Sequence, residues 1–288
     1  MSIQARKLRK LLAENDYLVA PGAYDALSAK CIEAAGFPVA GTTGYGMHGC
    51  ILGQPDTGQL TLSETVDVLT KMCNAVDIPI LADAEGGYGS ALNVIRTIKE
   101  YEKTGIGGLF IEDQKQPPNC PFIKAPELIS MKEMIGKIKA AVAVREDPSL
   151  LIVARTDAPF DEAVERANAY MEAGADMVKI LPKTRDELEK LPPLVKGPIH
   201  LGLYANKGIN DGLTAEDCGK LGYKIITFPV SLLFAQTATL MKLLKYMKEN
   251  GTDEGYEGDF ISFQDYLKFI GADYYKTIYE KYIDTYIE

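Results

Sequence analysis

Two acidic residues, Asp83 and Glu85, follow an apolar run in the stretch PILADAEGGYG, residues 79–89. Glu112 follows a second apolar run, and Arg155 lies at the end of a third. If these runs are neighbouring strands, the alternation of side chains places Asp83 and Glu85 on one side, next to Glu112. Three carboxylates cannot lie together fully ionised without a counter-charge. The spacing therefore predicts a charged site that needs cations.

A divalent cation is the counter-charge that these residue types favour. Arg155 supplies part of the positive charge, and a metal ion bound by carboxylate oxygens would supply more. The chain has two histidines, His48 and His200, so oxygen ligands predominate, and these suit Mg2+ or Mn2+ rather than Zn2+. The scarcity of histidine also argues against a Ser-His-Asp triad. The alternative to a metal is a purely structural network of acids and arginine.

One local pattern, a helix end followed by a glycine and an apolar strand, occurs four times. The glycines are Gly36, Gly105, Gly174 and Gly222, and each could take the left-handed conformation that ends a helix. The apolar runs predict eight strands, around residues 17–20, 39–43, 79–82, 108–111, 151–155, 177–181, 199–204 and 224–228. Most are continuous, as in parallel strands buried on both faces. We predict an α/β fold, a (β/α)8 TIM barrel, with a doubly wound open sheet as the alternative.

The predicted organisation is one barrel domain, residues 1–288, with a C-terminal helical extension at residues 260–288. The extension is rich in tyrosine and carries apolar faces that a complete barrel does not need. We expect it to pack on a neighbouring subunit. The alternative is a lid across the underside of its own barrel.

The composition limits the classes of partner. A net charge of −9 and a pI of about 5.0 argue against nucleic acid or an anionic membrane as partner. No apolar run approaches the roughly 20 residues of a membrane span. The five cysteines form no CxxC pair, which indicates reduced thiols. The amphipathic N-terminus lacks the apolar stretch of a secretory signal, so we expect a cytoplasmic protein.

Three motifs in this order, ADAEGGYG, GLFIEDQ and IVARTDA, resemble the isocitrate lyase/phosphoenolpyruvate mutase superfamily. The segments PGAYDALSAK, GQPDTG and FPVSLLFA are similar as well, so the resemblance covers about residues 15–280. It implies a (β/α)8 barrel that is usually a homotetramer and exchanges a C-terminal helix between subunits. It also implies a Mg2+ cofactor and enolate or alkoxide chemistry on small 2-oxo acids.

The resemblance implies a role for each matching residue. Arg155 would pair with a substrate carboxylate and stabilise developing negative charge. The implied metal ligands are Asp83, which binds directly, and Asp56, Glu85 and Glu112, which bind through water. The implied substrate-binding residues are Thr43, Gly44 and Tyr45, through backbone N–H groups, together with Arg155. The predicted catalytic residues are Cys120, Arg155 and Glu112.

The loop after the fourth strand, EDQKQPPNCPFIKA, differs from the lyases of the superfamily. Cys120 falls at the spacing of the lyase cysteine that moves a proton at carbon. Its neighbours Pro118, Asn119, Pro121 and Phe122 replace lyase residues, among them a Lys and a His that would bind substrate carboxylates. Because Cys120 lies between prolines in a polar stretch, we expect an exposed, activated thiol.

We therefore predict a Mg2+-dependent lyase that cleaves a carbon–carbon bond of a small 2-hydroxy di- or tricarboxylic acid. The substrate would be of 2-methylisocitrate or alkylmalate type, and the products a 2-oxo acid such as pyruvate and a second carboxylic acid. Phe122, in place of a cation, favours an alkyl group on the substrate. Two further pocket positions, Leu181 and Gly202, are apolar or empty where relatives often carry a polar side chain.

Three alternatives stay open. The same scaffold supports phosphoenolpyruvate mutase, phosphonopyruvate hydrolase or 2-oxo acid decarboxylase chemistry, for which Lys115 and Lys124 could bind phosphate. Lys179, within an apolar strand, could be the nucleophile of a Schiff-base aldolase, although we expect it to point outward. The altered loop is also compatible with a binding protein that has lost catalysis.

Overall fold

Eight parallel strands close into one barrel in the order of the sequence. The computed structural model describes residues 2–120, 123–204 and 212–285. The strands are β1 (Leu18–Ala23), β2 (Ala40–Thr42), β3 (Ile80–Asp83), β4 (Gly108–Glu112), β5 (Leu151–Thr156), β6 (Met177–Ile180), β7 (Ile199–Gly202) and β8 (Ile225–Phe228). The pairing of Leu18 with Ile225 joins β1 to β8. The predicted (β/α)8 barrel and its eight strands are confirmed, and the open sheet is wrong.

Helices surround the strands and follow the local signals in the sequence. They are α1 (Ile3–Glu14), α2 (Ala26–Ala34), α3 (Gly44–Met47), α4 (Leu62–Ala75), α5 (Ala91–Thr104), α6 (Met131–Val144), α7 (Phe160–Glu172), α8 (Arg185–Lys190), α9 (Ala215–Leu221), α10 (Ser231–Asn250), α11 (Phe263–Phe269) and α12 (Ala272–Tyr282), with a π-helical turn at His48–Leu52 and a 3-10 turn at Pro192–Leu194. All four helix-ending glycines have positive φ, which a side chain would oppose. Within the described ranges, no helix is both long and apolar enough to cross a membrane.

The core has two layers, one inside the barrel and one between the barrel and its helices. Leu81, Phe110 and Val153 are among the buried residues that fill the inside. Leu8 of α1 belongs to the same cluster, and Ser2 Oγ donates a hydrogen bond to Gly105 O (3.1 Å) just before β4. Helix α1 therefore covers the N-terminal end of the barrel, which leaves the C-terminal ends of the strands for chemistry.

The chain divides into two compact units, residues 1–234 and 235–288. The first holds the barrel. The second holds most of α10 together with α11 and α12, so two helices lie in the predicted extension at 260–288, whose last residues, 286–288, fall outside the described residues. Phe263, Tyr274 and Tyr275 of this unit are exposed. The single domain, the exchange of helices between subunits and the cytoplasmic location stay predictions.

Candidate active site

A cavity of about 430 Å³ opens at the C-terminal ends of β2 to β8. Most of the predicted site residues line it, and the rest lie in a small recess beside it. The cavity contacts Thr43, Gly44, Tyr45, Asp56, Asp83, Cys120 and Arg155. The recess contacts Glu85 and Glu112 together with Asp56, Asp83, Cys120 and Arg155. The structure therefore brings all the predicted site residues together.

Three carboxylates converge on Gly44, directly after β2. A Cβ atom at Gly44 would lie 2.9 Å from Glu85 Oε1, 3.1 Å from Asp83 Oδ2 and 3.5 Å from Asp56 Oδ2. The position therefore has no room for a side chain. Gly44 N donates a hydrogen bond to Asp83 Oδ2 (3.0 Å), so this N–H orients the Asp83 carboxylate. We call Asp56, Asp83, Glu85 and Glu112 the acidic cluster.

Glu85 joins the acidic cluster for a reason that strand alternation does not supply. β3 ends at Asp83, and Glu85 has φ +51°, which is unusual for a residue other than glycine. Two hydrogen bonds hold this turn: Glu85 N donates to Asp83 Oδ1 (2.9 Å), and Glu112 N donates to Glu85 O (2.9 Å). Backbone strain of this kind costs of order 1–3 kcal/mol and is common at functional sites.

Burial and crowding shift the acidic cluster towards its protonated form. Burial raises the pKa of Glu85 well above its usual value, and the carboxylates of Asp83, Asp56 and Glu112 add to the effect. Burial, partly offset by Arg155, raises the pKa of Glu112 to about 8. Burial and Asp83 raise the pKa of Asp56 to about 6. The oxygen atoms converge but lack enough positive charge nearby, and this donor set fits a hard divalent cation.

Arg155 is clamped between two acids. Its Nη1 lies 3.0 Å from Glu112 Oε2, while Nε and Nη2 donate to the two carboxylate oxygens of Asp157 at 3.0 and 2.8 Å. Asp157 had no predicted role, although its position two residues after Arg155 was the available signal. Gln114 Nε2 donates to Asp157 Oδ2 (2.7 Å), so this clamp is connected to the loop after β4.

The loop after β4 lies over the acidic cluster. Cys120 N donates to Asp56 O (3.0 Å), and a Cβ at Gly58 would lie 2.6 Å from Pro118 Cδ. Cys120 is therefore buried, with 7% of its surface exposed, and the prediction of an exposed thiol is wrong. Pro121 and Phe122, which carried part of the substrate argument, lie outside the described residues.

His48 is near the acidic cluster but is not free to bind a metal. Its Nε2 accepts hydrogen bonds from Gln59 N (3.1 Å) and Leu60 N (3.2 Å). The proton therefore sits on Nδ1, which donates to Gly44 O (2.8 Å), although Asp56 Oδ1 is also 3.4 Å away. His48 holds Gly44 and the loop that carries Asp56 in place. No spacing or motif in the sequence predicted this role.

Lys179 points into the cavity, so the outward orientation expected from the sequence is wrong. Its neighbours Val178 and Ile180 on β6 pack in the layer between barrel and helices, and alternation turns Lys179 inward. Its Nζ lies 3.8 Å from the centre of the Phe110 ring. Leu181 lines the same cavity, and the Tyr204 ring lies 3.2–3.4 Å from where a Cβ of Gly202 would be.

The family model described as phosphoenolpyruvate phosphomutase matches residues 8–248 of the chain. This chain belongs to the isocitrate lyase/phosphoenolpyruvate mutase superfamily. The predicted superfamily is therefore confirmed. The predicted enzyme class, a lyase of this superfamily, is confirmed by the relatives described in the next paragraph. Other members of the superfamily are mutases and hydrolases.

Among its relatives in the superfamily is 2,3-dimethylmalate lyase of Eubacterium barkeri, 37% identical over 96% of this chain and 98% of that protein. A 2-methylisocitrate lyase of Aeropyrum pernix is 38% identical over 86% of this chain and 80% of that protein. A crystal structure of phosphonopyruvate hydrolase with oxalate and Mg2+ has a TM-score of 0.87 at 26% identity, over 99% of this chain and 100% of that chain.

Proposed function

We propose that this protein is a Mg2+-dependent lyase that breaks a carbon–carbon bond of an alkyl-substituted malate. The products would be a 2-oxo acid such as pyruvate and a second carboxylic acid. The observation that carries the proposal is that Cys120 lines the same cavity as Asp83 of the acidic cluster. A proton donor and an oxyanion-stabilising site then face one substrate. The identity of 37% with 2,3-dimethylmalate lyase supports the substrate class.

The metal would be held by the acidic cluster, with Asp83 as the direct ligand and Asp56, Glu85 and Glu112 around it. Bound Mg2+ would supply Lewis-acid stabilisation of negative charge that develops on the substrate oxygen. The convergent carboxylates around Gly44 support this assignment, because they require a cation to be fully ionised. Mn2+ meets the same requirement of hard oxygen ligands.

Two side chains, Glu112 and Cys120, would carry out the two proton transfers of the reaction. Glu112, which lies in the recess beside the cavity and would be ionised with the metal bound, would take the proton of the substrate 2-hydroxyl. The C2–C3 bond then breaks, C2 becomes a carbonyl carbon and the bonding electrons remain on C3. Cys120 donates its proton to C3, and the clamped Arg155 stabilises negative charge on a carboxylate. Thr43 and Tyr45 line the cavity where the carboxylate end of the 2-oxo acid would bind.

The test is a substrate panel with the purified chain and Mg2+. We expect 2-oxo acid release from 2,3-dimethylmalate or another alkylmalate, with 2-methylisocitrate as a second choice, and loss of activity with a chelator. Turnover of phosphonopyruvate or oxaloacetate, with none of the alkylmalates or 2-methylisocitrate, would reverse the assignment. An assembled protein with no turnover of any of these acids would favour a binding function.

Phosphorus–carbon chemistry is the second candidate, because mutases and hydrolases share the fold. The two lysines on the loop after β4 that could bind a phosphoryl group lie near an acidic side chain instead. Lys115 and Lys124 lie 3.3 and 3.7 Å from the carboxylate of Glu127, and all three side chains are exposed. Neither lysine lines the cavity, so the structure gives less support to binding of a phosphoryl group there.

A further inference from the structure

Lys179 is a buried basic residue that has no role in the proposed reaction. Only 5% of its surface is exposed, and it lines the cavity between Arg155 on β5 and Leu181. Within residues 2–120, 123–204 and 212–285, no carboxylate lies at ion-pair distance from its Nζ. This Nζ lies over the face of the Phe110 ring, 3.8 Å from the ring centre. A buried ammonium group without an anion is costly, by several kcal/mol.

The register between β5 and β6 places Lys179 beside Arg155, a cation that already has acidic partners. Arg155 and Lys179 are partners across β5 and β6, so both side chains point inward at the same level. Arg155 already bonds to Asp157 and Glu112, whereas none of the described residues accepts a hydrogen bond from Lys179 Nζ. Burial and the nearby Arg155 lower the pKa of Lys179 to about 7, and the more distant carboxylates of Asp83, Asp157 and Glu112 offset this only in part.

We propose that Lys179 is a specificity residue whose ammonium group pairs with the substrate carboxylate that lies away from the acidic cluster. The cavity would then select 2-oxo and 2-hydroxy dicarboxylates over monocarboxylates. This inference rests on the proposed function for one end of the ligand, the end that binds at Asp83. The position of the other end of the ligand follows from Lys179 itself. A carboxylate next to its ammonium group would offset the free-energy cost of burying that charge.

The experiment compares two ligands on three proteins by titration calorimetry with Mg2+ present. Oxalate carries its two carboxylates on adjacent carbons and has none left for Lys179. The dicarboxylate 3,3-difluorooxaloacetate carries a second carboxylate on the far side of its 2-oxo group. The proteins are the wild type, Lys179→Met, which keeps the length of the side chain, and the control Lys183→Met, an exposed lysine four residues further on.

We expect Lys179→Met to keep its oxalate affinity within about threefold and to lose about 10- to 100-fold in affinity for the dicarboxylate, as befits one charge-assisted hydrogen bond. Lys183→Met should change neither value, and Lys179→Arg should restore part of the dicarboxylate affinity. Equal losses for both ligands, or an unchanged dicarboxylate affinity in folded Lys179→Met, would overturn the proposal. So would a wild type that binds neither ligand.

A chemical test separates ion pairing from covalent catalysis at the same residue. If Lys179 acts as a nucleophile, borohydride with pyruvate leaves a covalent adduct on the wild type that Lys179→Met lacks, and the ion-pair proposal is then wrong. We expect no adduct. Since calorimetry reads binding without turnover, an enzyme that fails the substrate panel still gives a result for Lys179. The failure of the lyase assignment and the failure of this inference are therefore distinguishable.

Discussion

The cavity has an acidic side, at Asp83 and its neighbours, and a basic side, at Lys179. On the acidic side burial raises the pKa of Glu85 and Glu112, and on the basic side burial lowers the pKa of Lys179. Burial has the same physical effect on both sides, since it disfavours the charged form. The difference is the sign of the missing partner, which is a cation on one side and an anion on the other. A metal ion and a dicarboxylate together would supply both.

Removing the centre of the acidic side should have the largest effect. We expect Asp83→Ala to lower kcat/KM on the substrate found in the panel by about 10^4-fold, because several kcal/mol of charge stabilisation disappear with the metal. Mg2+ titration by calorimetry, with oxalate present, should show no binding. The control is Asp67→Ala, an exposed residue of α4. Full activity in Asp83→Ala would contradict the acidic side as a metal site.

Cys120 tests whether chemistry occurs between the two sides. Cys120→Ala should lower kcat by about a hundredfold to a thousandfold, the usual contribution of a positioned proton donor. KM and Mg2+ affinity should stay near the wild-type values, because the bond from Cys120 to Asp56 O uses the backbone. Cys50→Ala, at an exposed thiol, serves as the control. An unchanged kcat would assign the proton transfer to another group.

Gly44 tests how closely the acids must approach. In Gly44→Ala the new methyl group would press on Glu85 and Asp83 at about 3 Å, so the carboxylates must move apart. We expect Mg2+ affinity to fall by about 10- to 100-fold, as for other residues that orient metal ligands. Gly136→Ala in α6 is the matched control, because nothing lies within 4 Å of its new Cβ. Equal Mg2+ affinity in both variants would show that the cluster tolerates displacement.

The pH dependence of unfolding should report on the acidic side without any substrate. In metal-free protein, Glu85 and Glu112 have pKa values raised above those of the unfolded chain, so the folded state holds protons that the unfolded state releases. Their contribution is fully present below about pH 4 and is lost as the pH rises towards 8. The melting temperature with a chelator should therefore fall over this range.

Saturating Mg2+ should offset that loss. At 100 times its Kd, a ligand of the folded state adds about 2.7 kcal/mol to the free energy of unfolding. The gain in melting temperature on adding Mg2+ should therefore grow from pH 5 to pH 8, and Asp83→Ala should show no gain. A gain that is independent of pH would mean that the metal does not displace protons from the acidic cluster.

The sequence predicted the frame of the site better than its details. The strand ends at Asp83, Glu112 and Arg155 follow from apolar runs and the alternation of residues, which depend on local spacing. The turn at Glu85 does not follow from spacing, because a left-handed glutamate is set by the tertiary bonds to Asp83 and Glu112. The same applies to the tautomer of His48, which depends on two backbone groups more than ten residues away.

The errors at Lys179 and Cys120 have a common cause. Residue type alone favours solvent for a lysine in a strand and for a thiol between prolines. In the structure, the packing of Val178 and Ile180 turns Lys179 inward, and the backbone bond to Asp56 buries Cys120. Both outcomes depend on contacts between segments far apart in the sequence, and one chain without its fold does not reveal them.

No single strand-and-helix repeat of the barrel holds the whole acidic cluster. Asp56 comes from the segment between β2 and α4, Asp83 and Glu85 from the end of β3, and Glu112 from the end of β4. Metal affinity is consequently a property of adjacent repeats joined in correct register, and a fragment that ends before β4 would lack part of it. Bound metal would thus report the assembly of these three adjacent repeats, independently of any catalytic turnover.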